Sequence, residues 1–316
     1  RTEGIQKFIE EKYLDSGRGR ALSPSALNTW ISCKLKFYYR YIAGISEQDE
    51  VREDVDAPMF GTILHDAMNK LYKPMEGKEI SSEYLMKLKD DSSGIRIIIE
   101  DSFRNNFMRK KRGEIGGKNL IIISVIENMI YQILKIDSGY SPFKIEGLEK
   151  EFSSGFGKNL SLGKSGIRIG GTIDRIDSKN KLFRILDYKS GKDSLEVDTL
   201  ESLTSYNVQK RNSAAFQTLL YSWIYQNNSS ARSLRPSLYP VRSIYDDSFS
   251  DKFVIKNGDE KGIIESFDSI ADKFSSGLQK VISDIMDPNL DFEMTSVEES
   301  CTYCPFSKLC DRQNLK

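Results

Sequence analysis

A chain of 316 residues has room for one large domain or two modest ones, and a hydrophobic content of 39% is that of a globular fold. Forty-six Lys and Arg residues balance 46 Asp and Glu residues, which excludes a global basic field, so any nucleic-acid contact must rest on local patches. The 4 cysteines, three of them crowded into "CTYCPFSKLC", do not form a secreted disulfide framework and point to a metal or cluster site.

The chain starts at Arg1 with no apolar leader, the pattern expected of a piece of a longer, unsecreted protein. Over residues 21–44, Ser23 as N-cap, Pro24 at the first helical position and Gly44 as terminator predict a helix carrying Cys33. The stretch "SEQDEVREDVDAP" reads as an acidic linker. In "MFGTILHDAMNKLY", Phe60, Ile63, Leu64, Ala67, Met68 and Leu71 share one helical face and His65 lies off it. Residues 81–136 read as mostly helical. Their apolar run "NLIIISVIENMIYQIL" is interrupted by Glu127, Asn128 and Gln132, which argues against a membrane span.

The middle of the chain changes period. "FKIEGLEKEF", "IRIGGTIDRID" and "KLFRILDYK" read as strands separated by Gly, Ser, Asn and Lys turns, and "RNSAAFQTLLYSWIYQ" as a helix. Further strands are expected in "RPSLYPVRSIY" and "DKFVIK", then a helix over 260–286. The expected fold class is α/β, a mixed central sheet flanked by helices. A mainly helical part over 1–140 carries Cys33 and His65, a core spans 141–286, and a cysteine-bearing tail spans 287–316.

Two phosphate-loop look-alikes fail. The "GKS" at Gly163 would need a glycine at Lys158, and the "SGK" ending at Lys192 would need one at Leu186.

In "RILDYKSGK", strand alternation places Asp187 and Lys189 on one face and Tyr188 on the other. "GGTIDRID" precedes it with Asp174 and Asp177, and a hairpin of the two strands brings Asp174 beside Asp187. Two carboxylates and a lysine at one end of a sheet suit a hard divalent cation acting on a phosphate, with Lys189 as the added positive charge. Asp177, one strand step further on, is expected to be structural.

Asp174, then Asp187, one residue, and Lys189 resemble the PD-(D/E)XK nuclease superfamily, in its RecB-like branch. "GTILH" resembles that branch's histidine motif, and "QTLLY" its glutamine and tyrosine motif, with Gln217 and Tyr221 one helical turn apart. The resemblance runs from about residue 21 to 310. It implies Mg2+ or Mn2+ bound by His65, Asp174, Asp187 and the Tyr188 backbone carbonyl. Asp174, Asp187, Lys189, Gln217 and Tyr221 would be the catalytic set, with Glu127, in the helix before the first core strand, as a further acidic candidate.

Cys301, Cys304 and Cys310 are spaced C-x2-C-x5-C and Cys33 supplies a fourth thiol. Spacing leaves open a structural zinc or an iron-sulphur cluster. The arrangement resembles the [4Fe-4S] staple of AddB-type nuclease domains, in which one distant cysteine precedes the domain and three follow it. The resemblance further implies a DNA substrate, an AddA-type helicase-nuclease partner, double-strand break processing, a cytoplasmic location and no membrane. A free-standing RecB-like exonuclease and a non-catalytic DNA-binding or scaffolding module on the same fold are the alternatives. "MRKKRG" (Arg109 to Arg112) and Lys34, Lys36 and Arg40 among aromatics are candidate backbone contacts.

Overall fold

The computed structural model describes residues 1–14, 19–46, 54–108, 114–157, 166–191, 193–231, 233–257 and 260–312. The basic run Arg109 to Arg112 and most of the acidic linker lie outside the described residues. The first 140 residues form α1 (Glu3–Tyr13), α2 (Pro24–Ser32), α3 (Lys34–Phe37), α4 (Ala57–Tyr72), β1 (Glu79–Ile80), α5 (Ser82–Asp90), α6 (Ser92–Phe103) and α7 (Lys118–Tyr140). There follow β2 (Phe143–Phe156), β3 (Ile167–Lys179), β4 (Leu182–Lys189), β5 (Glu196–Val197), α8 (Ser213–Asn228), β6 (Leu234–Pro240), β7 (Val254–Asn257), β8 (Glu260–Ile263) and α9 (Ala271–Met286).

The main sheet has the order β1-β2-β3-β4-β6, and a second, three-stranded sheet the order β5-β7-β8. Strands β2, β3 and β4 pair antiparallel, while β6 joins β4 in parallel after the α8 crossover, so the sheet is mixed, as expected. The β3–β4 turn is set by Asn180 and Lys181, both with positive φ (51° and 67°), the backbone of a two-residue hairpin. Its register pairs Arg175 with Leu186 and leaves Asp174 and Asp187 as the next facing residues.

Apolar side chains cover both faces of this sheet. On one, Trp30 of α2, Leu219 and Leu220 of α8 and Ile282 of α9 pack with Ile173 and Ile185. On the other, Ile63 of α4, Ile99 of α6 and Ile126 and Ile130 of α7 pack with Ile145 and Leu186. Each such side chain removed from water contributes about 1.5–3 kcal/mol. Residues 1–140 therefore divide between the layers: α1 and α2 lie with α8 and α9, whereas α4 to α7 form the opposite layer. By length and composition α7 would reach across a membrane, but its Ile123, Ile126, Ile130 and Ile133 are buried in this second layer.

Behind the sheet end that carries the site lies a buried polar network. Asp137 accepts from Tyr72 Oη at 2.5 Å, Tyr239 Oη at 2.9 Å and Arg175 Nη1 at 2.6 Å. Asp177 accepts from Arg175 Nε at 2.9 Å and Arg184 Nε at 3.0 Å, which accords with the structural part expected of it. Burial works against the Asp137 carboxylate, yet Arg175 and Arg184 hold its pKa below the ordinary value. The network ties α4, α7, β3, β4 and β6 together and, through Arg175 Nη1 to Tyr188 Oη at 3.1 Å, holds the back of β4.

Two expectations about elements need correction. The helix expected over 21–44 starts as read, with Ser23 Oγ accepting from Ala26 N, but breaks at Cys33, whose backbone is extended (φ −164°, ψ 112°). The chain resumes as α3 and a π-helical turn at Tyr38–Ile42. The helix expected over 260–286 begins only at Ala271, because Glu260–Ile263 pairs with β7.

Candidate active site

Helix α4, the end of β4, and α8 enclose an open cleft of about 920 Å3 lined by His65, Glu149, Tyr188, Lys189 and Gln217 among others. Two close approaches shape it. A side-chain carbon on Gly61 would come within 3.1 Å of Ser190 Oγ, and one on Gly171 within 3.0 Å of both Pro24 Cδ and Tyr221 Cε1, so glycine lets α4 and α8 close on the strands.

The hairpin register brings Asp174 and Asp187 together, and Asp174 Oδ2 accepts from the Tyr188 N–H at 3.0 Å. His65 stands 3.3 Å from Asp174 Oδ2 through Nδ1 and 2.9 Å from the Tyr188 carbonyl through Nε2. Gln217 Nε2 donates to Asp187 Oδ1 at 3.1 Å and lies 3.2 Å from Tyr221 Oη. Lys189 Nζ lies 2.8 Å from Asp187 Oδ2, an ion pair out of hydrogen-bond alignment, so this fully buried oxygen lacks a well-formed hydrogen bond. The structure thus brings His65, Asp174, Asp187, Tyr188, Lys189, Gln217 and Tyr221 together.

It does not bring Glu127 there. That carboxylate lies on α7, 3.5 Å from Arg96 Nη1 and 3.2 Å from Tyr131 Oη. Beside His65 and Asp174 at the cleft stands instead Glu149 of β2, which sequence reasoning missed. It falls opposite Asp174 in the β2–β3 register, adopts φ 47° and places Oε1 3.9 Å from His65 Nδ1. Ligand atoms of His65, Glu149 and Asp174 lie within 4.8 Å of one another.

Crowded like charges and burial shift these groups. Burial alone would lower the His65 pKa, but Asp174, with Asp187 behind it, raises it to about 9. Burial and then repulsion from Asp174 raise Glu149 to about 7. Burial raises Asp187 to about 6, Lys189 opposing and Asp174 adding to the rise. Asp174 resists its burial through His65 and stays below the ordinary carboxylate value, and Lys189 stays above the ordinary lysine value because Asp187 outweighs its desolvation. The donor set of one imidazole and several carboxylate oxygens, one of them buried without a well-formed hydrogen bond, fits a hard divalent cation.

Cys33, Cys301, Cys304 and Cys310 line a second, small pocket together with Tyr39 and Phe306. The Lys36 N–H donates to Cys33 Sγ at 3.4 Å, and Arg312 Nη1 to Cys301 Sγ at 3.5 Å. Burial and then the neighbouring cysteines push the Cys310 thiol pKa up. The four cysteines thus line one pocket, but among the described residues no three of their sulphurs lie within 4.8 Å of one another. Of the candidate backbone contacts, Lys34 Nζ lies 4.8 Å from the Tyr206 ring centre, and the Arg40 guanidinium 5.8 Å from that of Tyr41.

The model of the PD-(D/E)XK nuclease superfamily matches residues 21–311. The B-type subunit of the ATP-dependent helicase/deoxyribonuclease of Clostridium tetani is 27% identical over 225 residues, 63% of this chain and 18% of the relative. The protein of that name from Carboxydothermus hydrogenoformans is 26% identical over 67% of this chain and 20% of the relative. That from Clostridium novyi is 20% identical over 98% of this chain and 32% of the relative. The chain thus spans between about a seventh and a third of the length of the curated relatives it matches.

Proposed function

Because the chain belongs to the PD-(D/E)XK nuclease superfamily, we propose that it hydrolyses DNA phosphodiester bonds in a reaction dependent on Mg2+ or Mn2+. The observation that carries this reading is the convergence of His65 from α4, Asp174 from β3, Asp187 and Lys189 from β4 and Gln217 from α8 on one open cleft.

His65, Asp174, Asp187 and the Tyr188 carbonyl are the residues that would hold the cation. When bound, it supplies Lewis-acid polarisation of the scissile phosphate. Lys189 keeps its positive charge and offers N–H donors to the non-bridging phosphate oxygens or the attacking water, where negative charge develops. Gln217, backed by Tyr221, fixes the Asp187 carboxylate through its Oδ1. Glu149 adds a further carboxylate at the same His65 Nδ1 that faces Asp174. Water attacks phosphorus, the P–O bond to the bridging oxygen breaks, and the proton that water loses is balanced by one taken up by the departing oxygen, which leaves one end as a phosphate monoester and the other as a hydroxyl.

The names of the relatives support a further step, that the chain is the nuclease part of a helicase-nuclease subunit of AddB type; DNA ends as substrate, an AddA-type partner and a cytoplasmic location belong to the same proposal. The four cysteines of the second pocket would hold a [4Fe-4S] cluster that staples Cys33 to the C-terminal cysteines. An end-labelled oligonucleotide assay with Mg2+ tests the central claim. Asp174→Asn and Asp187→Asn should each lose at least about 100-fold in cleavage with circular dichroism unchanged. Near-normal cleavage by both would remove the site assignment, and a wild-type chain that binds the oligonucleotide without cutting it would favour the non-catalytic module.

A further inference from the structure

Between Leu203 and α8 the chain lines a pocket with Ile31 and Ser32 at the end of α2. We propose, on the footing of the nuclease reading, that the pocket this segment forms with α2 and the Val297–Ser300 turn binds a backbone phosphate of a nucleic-acid strand through Arg211 and Lys210.

The pocket, about 210 Å3, is lined by Ser32, Ser205, Lys210, Arg211, Ser213 and Ser300 among others. Arg211 is largely enclosed, yet every acceptor of its guanidinium is neutral. It donates to Leu203 O at 3.0 Å, Asn28 Oδ1 at 2.6 Å, Asn28 O at 3.4 Å and Ser32 Oγ at 3.5 Å. The contrast with the buried arginines is direct: Arg175 and Arg184 are both paired with Asp137 and Asp177, and Arg235 with Asp251. Among the described residues no carboxylate forms an ion pair with Arg211 or Lys210. Desolvation, unopposed by any carboxylate, lowers the Arg211 pKa to about 10, which leaves it charged at neutral pH. A desolvated cation without an anion is costly, and an anionic ligand would remove that cost.

Backbone strain marks the same segment. Asn207 and Lys210 adopt φ of 56° and 58°, a region that side chains with a Cβ rarely occupy. The strain is held by ties to the cysteine-bearing segment: Asn207 Oδ1 accepts from Thr295 Oγ1 at 3.2 Å and the Ser296 N–H at 3.0 Å. Gln209 Nε2 donates to Glu299 Oε1 at 2.8 Å and so occupies an acidic group of that turn. The outcome is an exposed Lys210 beside Arg211 at the start of α8, whose N-terminal N–H groups add to the attraction for an anion.

Position relative to the cleft identifies the ligand as a strand rather than a free anion. Ser213 of α8 lines this pocket and Gln217, one turn on, lines the cleft, a rise of about 6 Å. Helix α2 also borders both, with Ser25 at the cleft and Ser32 here, two turns or about 10 Å apart. A strand with its scissile phosphate in the cleft would thus lay a neighbouring phosphate in this pocket. Ser32 and Ser300 also line the cysteine pocket, so the two share a wall.

Fluorescence anisotropy with a labelled single-stranded oligonucleotide in EDTA separates binding from cleavage. Arg211→Gln should weaken binding about tenfold at low salt and reduce the slope of log Kd against log salt by about 0.7, the loss of one phosphate contact. Lys210→Gln, at an exposed position that cannot unfold the chain, should lower the slope in the same direction. Cleavage of thymidine 5′-p-nitrophenyl phosphate with Mn2+, a substrate too short to reach the pocket, should be unchanged in both. Wild-type protein that binds the oligonucleotide while both variants keep its affinity and slope overturns the proposal and leaves the nuclease reading intact. Titration with inorganic phosphate that shows tight binding, alongside unaltered oligonucleotide affinity in the variants, overturns it in favour of a free anion. Wild-type protein that neither binds nor cuts overturns both readings.

Discussion

His65 Nδ1 stands 3.3 Å from Asp174 Oδ2, a contact that joins helix α4 to strand β3 across the mouth of the cleft. Around this contact His65, Glu149 and Asp187 bind protons more tightly than such groups ordinarily do, whereas Asp174 binds its proton less tightly. His65 is raised to about 9, Glu149 to about 7 and Asp187 to about 6.

Each of these groups binds its proton more tightly folded than unfolded, so each contributes stability below its unfolded pKa that is lost as pH rises through its folded value. The windows run from the ordinary carboxylate range to about 6 and 7 for Asp187 and Glu149, and from the ordinary histidine value to about 9 for His65. Asp174 has the opposite sign but acts only at more acidic pH. A divalent cation must displace those protons. Thermal melts in EDTA and in Mn2+ should therefore diverge with pH, the increment due to the cation growing between pH 6 and 9. Calorimetry in buffers of different ionisation heat should register proton release. An increment independent of pH would remove these groups from the cation site.

Lys189 answers a different question. Its Nζ lies beside Asp187 but is no cation ligand. Lys189→Gln should keep the isotherm of Mn2+ binding and lose about 100-fold or more in cleavage rate. Cation binding lost along with activity would reassign the lysine to holding Asp187 in place.

Glu149 occupies φ 47°, a conformation that costs about 1 kcal/mol or more for a residue with a Cβ. Glu149→Gly relieves that strain and removes a negative charge from the crowded cluster. The variant should melt higher in EDTA yet bind Mn2+ more weakly. A variant both less stable and unaltered in cation affinity would make Glu149 a packing residue.

These residues also show what the sequence could disclose. The pairing of Asp174 with Asp187 was legible because a two-residue turn at Asn180 and Lys181 leaves one register open, and Lys189 followed from alternation. Glu149 was not, since the connection from β2 to β3 is long and carries no register signal, and its positive φ takes it out of the alternation of "EGLEKEF". Glu127 misled for a related reason. Helical periodicity identifies the buried side of α7, with Ile126 and Ile130, but not which neighbour its flank meets, and that neighbour is Arg96 of α6. Cys33 was legible as a ligand candidate, but not the break in the helix at the point where it lines one pocket with the other three cysteines.

That break makes the last prediction. Cys33 leaves helical geometry between α2 and α3, and its Sγ reaches the pocket of Cys301, Cys304 and Cys310 from the other end of the chain. A metal centre there closes a loop of nearly the whole chain, which by analogy with a disulfide limits its stabilisation to about 5 kcal/mol. Protein purified without oxygen should be brown with about four irons per chain, whereas a colourless protein with one tightly held zinc would reverse the choice of metal. Cys33→Ser should lower metal content and thermal midpoint. Because Ser32 borders both the cysteine pocket and the proposed phosphate pocket, oligonucleotide affinity should fall as well, while hydrolysis of the short p-nitrophenyl substrate persists in the folded fraction. Unchanged metal content and midpoint in Cys33→Ser would place the fourth ligand elsewhere and release the N-terminal helices from the tail.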